Sequence, residues 1–199
     1  MNVTILGLGA VGSRVALELA RVLDSFLYWS SEPHINIVDD GFIELKNTRN
    51  QIYSPRHVGQ KKATIARHLM SDISSISATA YHNHVDESSV TRLLRNCGLV
   101  IDCLDNASAR IAVASECLVQ DIPCLHVGMN VGYGGIRWNS NAYTVSDDDG
   151  APDICTSDLA PGLGQFVAAA AVSVILRYLT HKEFVNLTIG IENFSVIAS

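Results

Sequence analysis

The chain has 199 residues, the size of one domain or a small two-layer unit, and at 48% hydrophobic against 17% charged it provides for a sizeable core. Its formal net charge of -6 excludes a general nucleic-acid footprint, although a local basic cluster can still hold phosphate. The 5 cysteines are odd in number and include no CxxC pair, which excludes a disulfide framework and a tetrathiolate zinc site; Cys103, Cys117 and Cys124 sit in apolar context and read as small core residues.

The opening stretch MNVTILGLG has neither a basic n-region nor a cleavage-like site, so no secretory signal is expected. VTIL (3–6) is β-branched and apolar and ends at glycine, which predicts a buried strand; AVGSRVALELARVL (10–23) follows with helical periodicity. Residues 24–33 are a connection. HINIVDD (34–40) is the second strand, 59–73 a helix, 77–85 a third strand, 88–97 a short helix, GLVIDCLD (98–105) a strongly apolar strand and 107–120 another helix. PCLHVGMN (123–130) and GGIRWNS (134–140) are further strands. Residues 144–162 mix acids, proline and glycine and predict a mobile loop. The apolar segment 163–179 contains Gln165 and Arg177 and lacks ~20 unbroken apolar residues, so it is read as a buried helix, in the core or at a dimer interface, rather than a membrane span. VNLTIGIENFSVI (185–197) predicts a strand or hairpin that continues the sheet.

Alternating strands and helices give an α/β chain with a Rossmann-like, doubly wound, mainly parallel sheet and helices on both faces. It is expected to form one nucleotide-binding domain over 1–199, with a core at 1–143, the loop at 144–162 and a C-terminal helix and strand at 163–199. A soluble, reducing, cytoplasmic setting fits.

GLGAVG (7–12) is G-x-G-x-x-G directly between a strand and a helix. Gly7 allows the tight turn, Gly9 leaves phosphate room at the backbone, and Gly12 lets the helix close on the strand; the helix N-terminus adds free N–H groups. An acid at the end of the second strand, Asp39 or Asp40, suits a ribose. This contact fits NAD and ATP alike.

The next stretch, DDGFIELKNTRNQIYSPRHVGQKKA (39–63), gathers Asn47, Arg49, Gln51, Lys61 and Lys62 behind two aspartates. In order, GLGAVGS, IVDDGFIEL, NTRNQ, GQKKA and DCLDN resemble the ThiF/MoeB family of adenylyltransferases, to which the ubiquitin-activating enzymes belong, over about residues 3–130. The resemblance implies an ATP- and Mg²⁺-dependent enzyme that transfers AMP to the C-terminal carboxylate of a ubiquitin-like protein or peptide. It assigns Lys62 to the phosphates, Arg49, Gln51 and Asn47 to directional contacts beside them, Asp105 to Mg²⁺ and Asp39 to the ribose. It also implies a homodimer, or a heterodimer with a related subunit.

This chain departs from the family pattern in two motifs. Asn50 fills the usual arginine slot of N-x-x-R-Q, and Gly41 takes the place of the second strand-end aspartate. The chain also begins at its first strand, without the N-terminal helix from which family homodimers lend an arginine; Arg14 is a partial replacement. These differences keep open a catalytically weak partner subunit of a heterodimeric activating enzyme; an NAD-dependent oxidoreductase is a third reading. Cys155 is the one cysteine in polar, Pro/Gly-rich context, open to a thioester-forming nucleophile as in several relatives or to an ordinary loop cysteine. Arg110 and Arg137 are read as structural or as contacts to a substrate carboxylate, and His82 and His84 as surface groups.

Overall fold

The computed structural model describes residues 1–25, 33–145, 158, 160–191 and 195–198. Its strands are β1 (Asn2–Leu6), β2 (His34–Val38), β3 (Ser77–Tyr81), β4 (Leu99–Asp102), β5 (Cys124–Asn130), β6 (Tyr133–Trp138), β7 (Leu187–Gly190) and β8 (Ser195–Ala198). Its helices are α1 (Gly12–Ser25), α2 (Lys62–Ser71), α3 (Val90–Leu93), α4 (Ala107–Val119) and α5 (Ala160–His181). All eight strands join one sheet in the order β3-β2-β1-β4-β5-β6-β7-β8. β1 to β5 run parallel, and β6, β7 and β8 add on as antiparallel strands.

The central strands are apolar on both faces because both faces are covered. Val3, Ile5, Leu99 and Ile101 face the layer of α1, α2 and α5, while Leu6 and Val100 face α3 and α4. The chain leaves β1 toward β2 and returns through α3 to β4, so β1 and β4 adjoin where the strand order reverses. In such sheets, ligands bind in the crevice beyond the carboxyl ends of those strands. The glycine loop after β1 and the DCLDN stretch after β4 meet there.

Several boundaries differ from the sequence reading. The helix expected at 59–73 begins at Lys62, because residues 59–61 are held by Ile43 through backbone hydrogen bonds and by the Phe42–Lys61 bridge. The helix expected at 163–179 begins at Ala160; Pro161 is tolerated in a first turn, where its missing N–H has no helical acceptor. Two short 3₁₀ helices, Leu45–Arg49 and Pro55–His57, give no apolar periodicity and were not foreseen. Helix α5 is long and apolar enough by length and composition to cross a membrane, yet it buries Leu163, Val167, Ala171, Val174 and Ile175 against the sheet layer.

Candidate active site

The glycine loop is shaped by close backbone approach. Gly7 has φ +82°, and a Cβ there would lie 2.7 Å from the Cys103 carbonyl oxygen. A Cβ on Gly12 would lie 2.0 Å from the Gly7 carbonyl oxygen, so this position requires glycine. Gly9 faces open space and lines the cavity above it. Asp39, expected at the ribose, is not among the residues that line the cavity. One of its carboxylate oxygens accepts the Leu8 N–H and the other the Gly41 N–H, each at 2.7 Å. It therefore fastens the glycine loop to the end of β2. Tyr53 fixes the same loop by donating to the Leu8 carbonyl at 3.1 Å, and burial, with Asp39 nearby, pushes its hydroxyl pKa up. Asp40 is exposed, pairs with His84 at 2.7 Å and lies outside the cavity.

The first 3₁₀ helix decides which polar side chains face inward. With three residues per turn, Asn47 and Asn50 share one face and Arg49 takes another. Asn47 is buried and accepts the Glu44 N–H at 2.9 Å; Asn47 and Gln51 both line the cavity. Arg49 corrects the sequence reading. It is not among the residues that line the cavity, and its guanidinium reaches the exposed Asp158 at 3.3 Å.

Lys62 opens α2 with its backbone N–H bonded to the Gly41 carbonyl at 3.0 Å, and its side chain lines the cavity. The side-chain stem passes over Gly41, where a Cβ would lie 3.4 Å from Lys62 Cδ and Cε. Glycine at 41 thus leaves the lysine its path. Asp105, exposed at the end of the β4 turn, borders the same cavity. Among the described residues, neither Lys62 nor Asp105 forms an ion pair. The cavity has a volume of about 490 Å³, within the ~300–1,000 Å³ range of small-molecule sites. It runs from Gly9 and Ala10 across the ends of β4 and β5 to Asn130, Tyr133 and Gly135. Cys155 lies outside the described residues.

The cavity floor holds residues that the sequence reading passed over or left undecided. Asp102, at the end of β4, is hydrogen-bonded to His126 of β5 at 2.7 Å, and the Tyr143 ring stacks on the imidazole at 3.9 Å. The Arg110 guanidinium donates to the carbonyls of Leu104 and of Val127, the latter at 2.8 Å, and so ties the two strand ends together. Burial opposes its charge, but Asp102 and Tyr143 more than offset this and hold its pKa above the ordinary value. Burial pushes the Tyr143 hydroxyl up, against the pull of Arg110. Arg137 borders the cavity with its donors turned to Ile136, Leu187 and Thr188 of the sheet, a structural placement. An acid ending one strand with a histidine on the next apolar strand was the only sequence signal for the buried pair. Nothing in the sequence says that the two strands are neighbours.

The family model of the ThiF family matches residues 1–193. The chain belongs to the ThiF family. It is 31% identical over 137 residues to SUMO-activating enzyme subunit 2 of Dictyostelium discoideum, covering 67% of this chain and 19% of that protein. It is 26% identical over 126 residues to the molybdopterin-synthase adenylyltransferase of Salmonella typhimurium, covering 62% and 47%. The chain therefore spans less than half the length of either relative. Among solved structures, E. coli MccB with ATP superposes with a TM-score of 0.79 at 16% identity, over all of this chain and 63% of that one. The E. coli tRNA N6-threonylcarbamoyladenosine dehydratase TcdA with AMP gives 0.70 at 18%, over 91% and 86%. At these identities the two structures establish the shared ThiF-type fold.

Proposed function

We propose that this ThiF-family chain is an adenylyltransferase that binds ATP in the 490 Å³ cavity and passes AMP to the C-terminal carboxylate of a ubiquitin-like protein or peptide. One observation carries the reading: a lysine and an aspartate, neither in an ion pair among the described residues, border a cavity whose wall is a glycine loop, and the cavity extends past them over β5 and β6. Hydride transfer has no use for that pair. Adenylyl transfer needs charge at the α-phosphate and at the leaving pyrophosphate neutralised, and room for a second reactant. The similarity to named adenylyltransferases and activating enzymes supports the same conclusion.

In this mechanism the loop N–H groups and Lys62 hold the phosphates, and Asn47 and Gln51 orient them. An oxygen of the acceptor carboxylate attacks the α-phosphorus. The bond from that phosphorus to the bridging oxygen breaks, and pyrophosphate departs with the bond's electron pair. Asp105 is a hard oxygen donor, and the described residues contain no cluster of three or more metal-ligating side chains. One carboxylate plus substrate phosphates is the ligand set that suits Mg²⁺, which would neutralise phosphate charge there. Arg110 holds Leu104 and Val127 in place and so sets the spacing of the floor beneath the reacting groups.

The deciding experiment is exchange of labelled pyrophosphate into ATP, with Mg²⁺ and the acceptor present. Exchange supports the enzyme. Asn50 in the arginine slot and the outward Arg49 favour a second reading, a weakly active subunit of a heterodimer. Tight ATP binding without exchange selects that reading, and binding of NAD but not ATP overturns both.

A further inference from the structure

The connection between β2 and α2 carries a charge opposite to that of the chain. Residues 42–62 hold 5 of the 14 lysines and arginines but only 1 of the 20 acids, in a chain whose net charge is -6. Lys46, Arg49, Arg56 and Lys61 are exposed. The single acid, Glu44, is paired with Lys46 at 3.5 Å. Among the described residues, Arg56 and Lys61 form no ion pair.

The same connection exposes large apolar side chains. Phe42, Leu45 and Val58 are 51%, 67% and 44% exposed. Backbone contacts draw them together. The Ile43 N–H donates to the Gln60 carbonyl and the Gly59 N–H to the Ile43 carbonyl, each at 2.8 Å, and Phe42 bridges to Lys61. Residues 58–61 therefore run alongside residues 42–44, with Arg56 in the short 3₁₀ helix just before them. The Phe42 ring meets the His82 ring edge-on at 5.1 Å, which holds it in place before a partner arrives. Single exposed apolar residues need no explanation, but a cluster bordered by charge of one sign marks an interaction surface. The cluster also adjoins the cavity, which is lined by Glu44, Lys46 and Asn47 and by Lys62, the residue after Lys61.

We propose that this face docks a partner protein through an acidic surface with an apolar centre, and so seats that partner at the mouth of the cavity. Phe42, Leu45 and Val58 supply the apolar contact. Lys46, Arg56 and Lys61 steer the approach and meet the partner's carboxylates at the edge of the contact. Phosphates dominate the affinity of a nucleic acid, so an RNA would use the charge and leave Leu45 and Val58 without a role. A symmetric contact with a second copy of this chain would set the same positive face against itself. An acidic protein surface satisfies both the charge and the apolar centre. The docking stands apart from the nucleotide reading and does not depend on it.

The test follows backbone amide shifts of the full chain by NMR during titration with a short synthetic peptide in which leucine and phenylalanine are flanked by aspartate and glutamate. One control peptide replaces the acids by their amides, a second replaces the apolar residues by serine, and a single-stranded RNA oligonucleotide is the third control. The acidic apolar peptide should shift residues within 42–61 and bind about tenfold or more tighter than either control peptide. Arg56→Glu/Lys61→Glu and Phe42→Ser/Leu45→Ser should each weaken it by about tenfold or more. All four side chains are exposed and none lines the cavity, so both variants should melt close to the unaltered chain and bind ATP within about twofold. If Phe42→Ser/Leu45→Ser melts early, Arg56→Glu/Lys61→Glu decides alone. No shifts with the acidic apolar peptide, or shifts centred outside 42–61, would overturn the docking surface. RNA binding that survives Phe42→Ser/Leu45→Ser and matches the peptide, or self-association abolished by Arg56→Glu/Lys61→Glu, would overturn the protein partner. Failure of the unaltered chain to bind ATP would remove the nucleotide reading and leave the docking surface in place.

Discussion

The imidazole Nδ1 of His126 lies 2.7 Å from a carboxylate oxygen of Asp102, with the two side chains 1% and 0% exposed. The pair bridges β4 and β5 directly below the cavity. The other Asp102 oxygen accepts the Leu104 N–H at 2.9 Å, so the same carboxylate shapes the turn that carries Asp105. His126→Ala leaves that carboxylate buried without its partner, a change that costs about 3–5 kcal/mol. Urea denaturation should show this as a lower midpoint with an unchanged slope. Asp102→Asn, which removes the charge as well as the strong acceptor, should cost less. A loss under about 1 kcal/mol for His126→Ala would show that the pair is not structurally important.

Arg49 and Lys62 should behave oppositely. Arg49 meets Asp158 in an exposed pair, with side chains 64% and 93% accessible, and such pairs contribute about 0–1 kcal/mol. Arg49→Ala should therefore leave both stability and pyrophosphate exchange within about threefold. Lys62→Ala removes a cation that lines the cavity and should slow exchange by roughly 100-fold, as should Asp105→Ala. Equal losses for Arg49→Ala and Lys62→Ala would put Arg49 back among the phosphate contacts.

The half-buried thiols of Cys103 and Cys97 set an alkaline limit. Burial, with Asp102 adding to it, pushes the Cys103 thiol up to about 12 from 9.0, and burial raises Cys97 as well. Above about pH 9 the unfolded chain releases these protons and the native chain keeps them. The native state then binds more protons, so stability falls as pH climbs from about 9 toward 12. Melting temperatures across that window should drop less for Cys103→Ala than for the unaltered chain. Parallel curves would contradict the assignment.

Strand–helix alternation and the glycine loop were legible in the sequence because each rests on local pattern: apolar runs, a 3.6-residue period and G-x-G-x-x-G spacing. Lys62, Asp105, Asn47 and Gln51 were legible through the ordered motifs and do border the cavity. The Arg49–Asp158 pair was not legible, because spacing in sequence does not reveal a 3₁₀ helix, whose tighter turn puts Arg49 on a different face from Asn47 and Asn50. The two backbone N–H groups that Asp39 satisfies were not legible, because a strand-end acid reads the same in sequence whether it holds a loop or reaches a ribose. The Asp102–His126–Tyr143–Arg110 floor was illegible because it depends on β4 and β5 lying side by side. Strand neighbours are fixed by packing, not by any local signal.

Gly9 and Gly12 separate binding from folding within one six-residue motif. A Cβ on Gly9 meets nothing within 4 Å, so Gly9→Ala should fold with a melting temperature close to that of the unaltered chain. The added methyl projects into the wall of the cavity, where the phosphates approach the backbone, and should weaken ATP by about tenfold or more. A Cβ on Gly12 lies 2.0 Å from the Gly7 carbonyl oxygen and 2.9 Å from Cys103 Cβ. The first contact is with backbone that no rotamer can relieve, so α1 must shift away from β1. Gly12→Ala should therefore lower stability by several kcal/mol and lose nucleotide binding as a consequence. Thermal melting and ATP titration on the two variants give four readings. The expected set is normal melting with weak binding for Gly9→Ala, and early melting with weak binding for Gly12→Ala. Full ATP affinity in a well-folded Gly9→Ala chain would move the phosphates off the glycine loop and remove the basis for placing ATP in this cavity.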